Sequence, residues 1–259
     1  MNRARRLITV SEDRLSRVSG LVSEYDFYKG SSVYADSALT TFASVAGVIG
    51  GVKDVSGSGV NIPGIQTTTS AKPTLTANAI NGRQAASFDG GDLLTVDSLA
   101  AYFNTNDGPY SCVTVFNRPA NVSPHDFFAI GKSTVNTPYI LHRVTGNTAY
   151  SIRRNDGSLS PQVDAGTPTA VPHILFYLFS GTTVTIMLDG TIIANEAALN
   201  ANAIASMDTA TIGALRRTAV TSYFIGYIGQ LAVWPTRIAT PEALWGTRLL
   251  GRKWGIATA

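Results

Sequence analysis

The sequence predicts an all-β fold, a two-sheet antiparallel sandwich or jelly roll finished by one C-terminal helix, and three observations carry that prediction. Charged residues make up 14% of the 259-residue chain, below the ~25% usual for globular proteins. Thr, Ser, Asn and Gly, the residues of strands and turns, fill the gap. More than ten short apolar or alternating runs succeed one another, with turn signals every ~8–12 residues, the spacing of a sandwich rather than of βαβ units.

The elements follow in order. Ser11, Glu12 and Asp13 read as the start of a short helix ending at Gly20, with acids in the first turn. Its two apolar positions, Leu15 and Val18, are too few to hold it alone, so it must dock on something. From Tyr25 to Ile65 the pattern is mixed, and GSGVNIPG (57–64) is turn chemistry. From residue 72 the β signal is strong. AASFDGGDLLTV (85–96) alternates around Gly90-Gly91, YSCVTVFNRP (110–119) alternates until Pro119 stops it, and FFAIG (127–131) ends on glycine. YILHRV (139–144) and AYSIRR (149–154) flank TGNT as a hairpin. The unbroken apolar run 174–179 reads as a strand buried on both faces. After SGTT a second strand alternates into Asp189-Gly190, a strong hairpin signal. A last strand pair is expected from 209–215 and 224–234. Thr240 then reads as the cap of a helix through Lys253, with Pro241 in its first turn and Glu242 behind it. This organises the chain as a basic N-terminal arm (1–24), a strand and loop lead-in (25–71) and the sandwich with its helix (72–259).

Composition excludes several function classes. No apolar run approaches the ~18 residues of a membrane span, and the first residues lack the apolar stretch of a secretory signal. The lone Cys112 forbids an internal disulfide framework and a cysteine-based zinc site. The formal charge of +3 is uneven: residues 1–20 carry +3, residues 211–259 carry +5 and the middle −5. Basic ends on an acidic body suggest an anionic partner. Arg3, Arg5, Arg6, Arg14 and Arg17 are therefore the expected anchoring residues. Nucleic acid is the weaker partner class, because no stripe of interleaved aromatics accompanies the basic clusters.

Three segments carry a family resemblance. INGRQAASFDGGDLLTV (80–96) is similar to the opening segment of laminin-G-like, concanavalin A-like modules. HILFYLFSGTTVTIMLDGTII (173–193) resembles their central hairpin, and residues 211–256 resemble their closing strand and helix with a KWGI-type tail. The resemblance covers about residues 72–256 and implies a concanavalin A-like jelly roll. Forms with this tail resemble those of tailed-phage virion proteins and bacterial surface proteins. The implied role is a non-catalytic structural protein of a virion, in capsid decoration or at the tail, held in symmetric copies by other virion proteins. The alternative is a lectin-like module that recognises host glycans. The acids after Phe88 are split by glycine (Asp89-Gly90-Gly91-Asp92), so Asp89 and Asp92 count as metal ligands only if calcium binding is shown, and no cofactor is expected.

The chemistry-bearing residues point the same way. Glycosidases of this fold place two carboxylates on one strand, and Glu12, Glu24, Glu196 and Glu242 form no such pair. The three histidines suggest no catalytic triad, and His125 reads as a turn residue in SPHDF. Asn121-Val122-Ser123 matches a glycosylation acceptor by chance. Trp245 and Trp254 are expected to pack the helix on the sandwich, and Trp234 to lie in the core. For a ligand, Tyr139, His142, Tyr150, Arg153 and Arg154 on the 139–154 hairpin are the candidate residues, an aromatic platform with donors for a sugar ring. The bland alternative is a pair of half-buried tyrosines with arginines solvating a sheet edge.

Overall fold

A computed structural model describes residues 15–103, 108–119, 125–146, 148–199, 204 and 206–259. Arg3, Arg5, Arg6, Arg14 and the Asn121 acceptor lie outside them. In chain order the strands are β1 (Ser23–Asp26), β2 (Val33–Tyr34), β3 (Gly51–Val52), β4 (Gly64–Ile65), β5 (Thr74–Ile80), β6 (Arg83–Asp89) and β7 (Leu94–Thr95). There follow β8 (Tyr110–Asn117), β9 (His125–Gly131), β10 (Tyr139–Thr145), β11 (Ala149–Asn155), β12 (Gln162–Ala165) and β13 (His173–Phe179). The series closes with β14 (Thr183–Leu188), β15 (Thr191–Ala198), β16 (Thr209–Ile212), β17 (Leu215–Arg216), β18 (Val220–Thr221) and β19 (Ile225–Trp234), before helix α1 (Thr240–Trp254).

Two antiparallel sheets face each other. One runs β15-β14-β13-β8-β19-β6-β5, and β1 joins it by pairing β19 beyond the point where β6 leaves off. The other runs β12-β11-β10-β9-β16-β7-β4-β3-β2. The main core lies between them, with Phe116, Phe127, Phe128, Tyr177 and Leu231 among its fully buried members. The expected two-faced strand is β13. Leu175, Tyr177 and Phe179 point into this core, while Ile174, Phe176 and Leu178 point outward under α1.

That outer layer is the second core. Trp234 and Trp254 are fully buried there, with Val113, Val115 and Leu250, and Trp245 packs on it half-buried. Leu15 and Val18, the apolar positions that had to dock, are buried in the same layer, so the start of the chain seals against the helix. The described part of that start is a single 3-10 turn at Leu15–Arg17. Gly229 makes the layer possible, since a Cβ there would sit 2.6 Å from the Trp254 ring.

Several expectations are corrected. The strands at 209–215 and 224–234 are not partners: β16 pairs β7 and β9 in one sheet, while β19 pairs β8, β6 and β1 in the other. Gly213 turns the chain out of β16 at φ +89°, where a Cβ would strike the Phe88 ring at 2.4 Å. His125 is not in a turn but opens β9 opposite Val144, its Nδ1 against the Tyr223 carbonyl. The residue before the first turn of α1 is Ala239, whose N–H donates to the Glu242 carboxylate at 2.9 Å. Finally, Glu24 and Asp26 do put two carboxylates on one strand. They lie beneath α1, where Glu24 accepts from Gln230 and Asp26 pairs with Lys253 at 2.6 Å. The segment 25–71, read as a lead-in, supplies strands to the nine-stranded sheet through β2, β3 and β4.

Candidate functional site

The β10–β11 hairpin decides which side chains share a face. Its register sets Tyr139 opposite Asn155, Leu141 opposite Arg153 and Arg143 opposite Ser151 on the outer face. Ile140 and Arg154, His142 and Ile152, and Val144 and Tyr150 are the inward pairs. The five candidate residues are therefore divided, because an odd spacing along a strand reverses the face. Tyr139 and Arg153 point outward. His142, Tyr150 and Arg154 point into the core and form no platform with them.

The inward three are structural. His142 stacks between Phe128 and Tyr177, and its Nε2 meets the Tyr110 hydroxyl at 3.0 Å. Full burial pushes its pKa down to about 3, so the ring is neutral. Arg154, 1% exposed, lies over the Phe179 ring at 4.7 Å. Tyr150 is wholly buried beside Phe116 and His173.

The outward pair belongs to a groove of about 330 Å³ on the outer face of the nine-stranded sheet, the side away from α1. Its floor is apolar: Tyr139, Leu141 and Leu215 pack with Ala129. The β17–β18 hairpin supplies Leu215 to that floor and places Arg217 and Ser222 beside it. Arg153 and Arg217 lie over the Tyr139 ring at 5.8 and 5.1 Å from its centroid, two cation–π contacts on one tyrosine. Arg143 completes the lining.

Each guanidinium is held. Arg143 donates from Nε to Asp126 Oδ1 at 2.8 Å and from Nη2 to Ser222 Oγ at 3.3 Å. Arg153 donates from Nε to Ser160 at 2.8 Å, and Arg217 from Nη1 to the Asn136 carbonyl at 2.8 Å. The Nε of Arg217 is buried without a partner, as is Oδ2 of Asp126. Burial pushes the Asp126 carboxyl up to about 6, with Arg143, Arg217 and Arg153 pulling it back. Three guanidiniums against one buried carboxylate leave the groove cationic. Planar guanidiniums over an apolar floor suit a carboxylate or sulfate carried on a ring with an apolar face.

Parity alone would have found Arg143, four residues from Tyr139 on the same strand. Arg217 had no signal, because it reaches the groove through a hairpin from the far end of the chain. Asp89 and Asp92 close their turn: Asp92 accepts from the Asp89 N–H at 3.0 Å and Asp89 from the Gly91 N–H at 2.8 Å. Among the described residues no group of three His, Cys, Asp or Glu is placed to hold a metal ion. No described helix is long and apolar enough to cross a membrane.

No protein-family model matches the chain, and no curated protein matches it by sequence. Solved structures do match by shape. The carbohydrate-binding module CBM40 of the Ruminococcus gnavus IT-sialidase, bound to α2,3-sialyllactose, aligns with a TM-score of 0.51 at 14% identity, over 68% of this chain and 96% of the module. The NanB sialidase of Streptococcus pneumoniae aligns with a TM-score of 0.53 at 15% identity, over 62% of this chain. A leech intramolecular trans-sialidase gives 0.53 at 16%, over 67%. The aligned part is 27% of each of these two enzymes. The chain thus shares the concanavalin A-like jelly roll of sialidase-associated modules, with the basic groove on the outer face of its nine-stranded sheet.

Proposed function

We propose that this chain is a carbohydrate-binding module whose groove takes an acidic sugar by its carboxylate. The observation that carries the reading is the placement of Arg143, Arg153 and Arg217 around Tyr139 over a floor of Leu141 and Leu215. The buried tyrosine and leucines keep the floor beneath the sugar apolar, and a guanidinium takes the acid bidentately. The Ruminococcus gnavus module of like fold was solved with sialyllactose bound, which makes sialylated glycans the first class to try. The reading is one of binding: the acid nearest the groove, Asp126, is fully buried and engaged by Arg143.

The test is calorimetry with 3′-sialyllactose against lactose. Binding of the sialylated sugar alone is expected. Arg143→Ala and Arg217→Ala should each weaken it at least tenfold, about 1.4 kcal/mol. Equal affinity for lactose, or no response to acidic glycans across an array, overturns the reading.

A second reading places the module on a virion as a structural part, and it coexists with the first. The likeness of residues 211–256 to phage-type tails and the arginines of residues 1–20 favour it. Deleting residues 1–14 should then abolish incorporation into particles while glycan binding persists, and undiminished incorporation ends this reading.

A further inference from the structure

Away from the groove, at the end of the sandwich where β13 begins and the β14–β15 turn closes, a hydroxyl, an imidazole and a carboxylate stand in line. Thr169 Oγ1 lies 2.6 Å from His173 Nε2, and His173 Nδ1 lies 2.6 Å from Asp189 Oδ2. The other Asp189 oxygen accepts from the Ile174 N–H at 2.8 Å, which fixes the carboxylate. This geometry selects the tautomer. A carboxylate at Nδ1 keeps the proton there, so Nε2 presents its lone pair to the threonine O–H. His173 is 7% exposed and held among Phe116 and Tyr150, whereas Thr169 is exposed on the 166–172 loop. The base is thus packed, with a partly exposed orienting acid on one side and a threonine of an exposed loop on the other, the arrangement that activates a nucleophilic alcohol. The sequence showed no such triad because His173 is sixteen residues from Asp189 and meets it only through the hairpin.

We propose that Thr169 is a nucleophilic hydroxyl activated by His173 and Asp189, and that it accepts an acyl group from an ester. In the step, Oγ1 bonds to the acyl carbon while its proton passes to Nε2. The ester C–O bond then breaks, and the departing alcohol leaves with the electron pair and takes the proton from the imidazolium. No oxidant, metal or further reactant enters. A donor for the developing oxyanion is at hand in Tyr150. Its hydroxyl is buried and lies close to the backbone and side chain of Thr169. Burial pushes that phenol up to about 12, so it stays protonated and able to donate. A merely structural relay would staple the loop to the hairpin equally well, but would not make the threonine reactive.

An alkyl fluorophosphonate tests this on the full chain, with adducts located by peptide mass spectrometry. Attack by Oγ1 forms the O–P bond, fluoride leaves with the P–F pair, and the proton passes through His173 to solvent. The expected result is one adduct, at Thr169, absent from Thr169→Ala and retained in Thr169→Ser. Its rate should fall at least tenfold in Asp189→Asn, which preserves the shape of the contact but presents the wrong tautomer. The melting temperature of each variant is read alongside, and Thr169→Ala, at an exposed site, serves if Asp189→Asn does not fold. No adduct at Thr169, or one whose rate ignores the Asp189→Asn change, overturns the proposal.

Discussion

Glu24 shows how a single buried residue couples this fold to pH. Its carboxylate sits under α1 with one hydrogen bond from Gln230, near Asp26 and Asp54, while Lys253 spends itself on Asp26 and on Gln230 at 2.7 Å. Burial, more than the neighbouring acids, pushes its pKa from 4.5 up to about 7, with Lys253 pulling the other way. The folded state therefore holds a proton that the unfolded chain has already lost between those values. Stability is full below pH 4.5 and falls as pH rises through 7. Asp92 and Asp126, each raised to about 6 by burial, add a fall of the same sign over a lower window. Chemical denaturation across pH 4–8 should show this decline. Glu24→Gln should remove its upper part, on the order of 3 kcal/mol at one unit per ~1.4 kcal/mol, and a variant as pH-dependent as the wild type would refute the assignment. Little of this was legible in the sequence. Glu24 looked like a lone acid near the chain start, and its burial exists only because β1 pairs with β19 beneath the helix.

Among the elements, α1 and the β10–β11 hairpin show where local signals suffice. The helix was readable from Pro241, Glu242 and the tryptophans, because those residues act within one turn or mark one apolar face. Its partner surface was readable too, in the two-faced run of β13. The helix also seats on β19 through Trp254, which is fully buried, lies over Gly229 and donates to Gln230 at 3.0 Å. Trp254→Ala should cost ~3–5 kcal/mol by cavity and lost contact. Gly229→Val should undock the helix while leaving the inter-sheet core. The check is thermal unfolding followed by tryptophan fluorescence and far-ultraviolet circular dichroism, and a shift of less than a degree for Trp254→Ala would contradict this picture. In the hairpin the strands were legible but the shared face was misjudged. Tyr139 and His142, or Arg153 and Arg154, cannot occupy one face of a flat strand, and the structure sends one of each pair inward.

For the whole molecule, the decisive feature is that both sheets are assembled from distant parts of the chain. The eight-stranded sheet needs β1 alongside β19, and the nine-stranded sheet ends on β4, β3 and β2. Tyr25, Phe27, Val33, Ile49 and Val52 are fully buried in the inter-sheet core. The stretch before residue 72 is thus part of the sandwich's own packing. A fragment of residues 72–259 should fail to unfold cooperatively in urea and should bind hydrophobic dye, whereas a chain starting at residue 15 should keep a sharp transition. Cooperative unfolding of the shorter fragment would show that the early strands are dispensable. The same assembly builds the groove, whose arginines come from β10, β11 and the turn after β17.

By itself the sequence determined the class of fold, most of the long strands from β6 onward, the closing helix and the packing of its tryptophans on the sandwich. Those features depend on alternation, on turn residues and on caps, which act over a few residues. Tertiary structure alone decided which strands are neighbours, which face of the hairpin is outside, and that Arg217 joins Arg143 and Arg153 over Tyr139. It alone set Thr169, His173 and Asp189 in line. Those outcomes depend on pairing across tens to hundreds of residues, where register and the direction of each crossing are set by the packing of two sheets against one core.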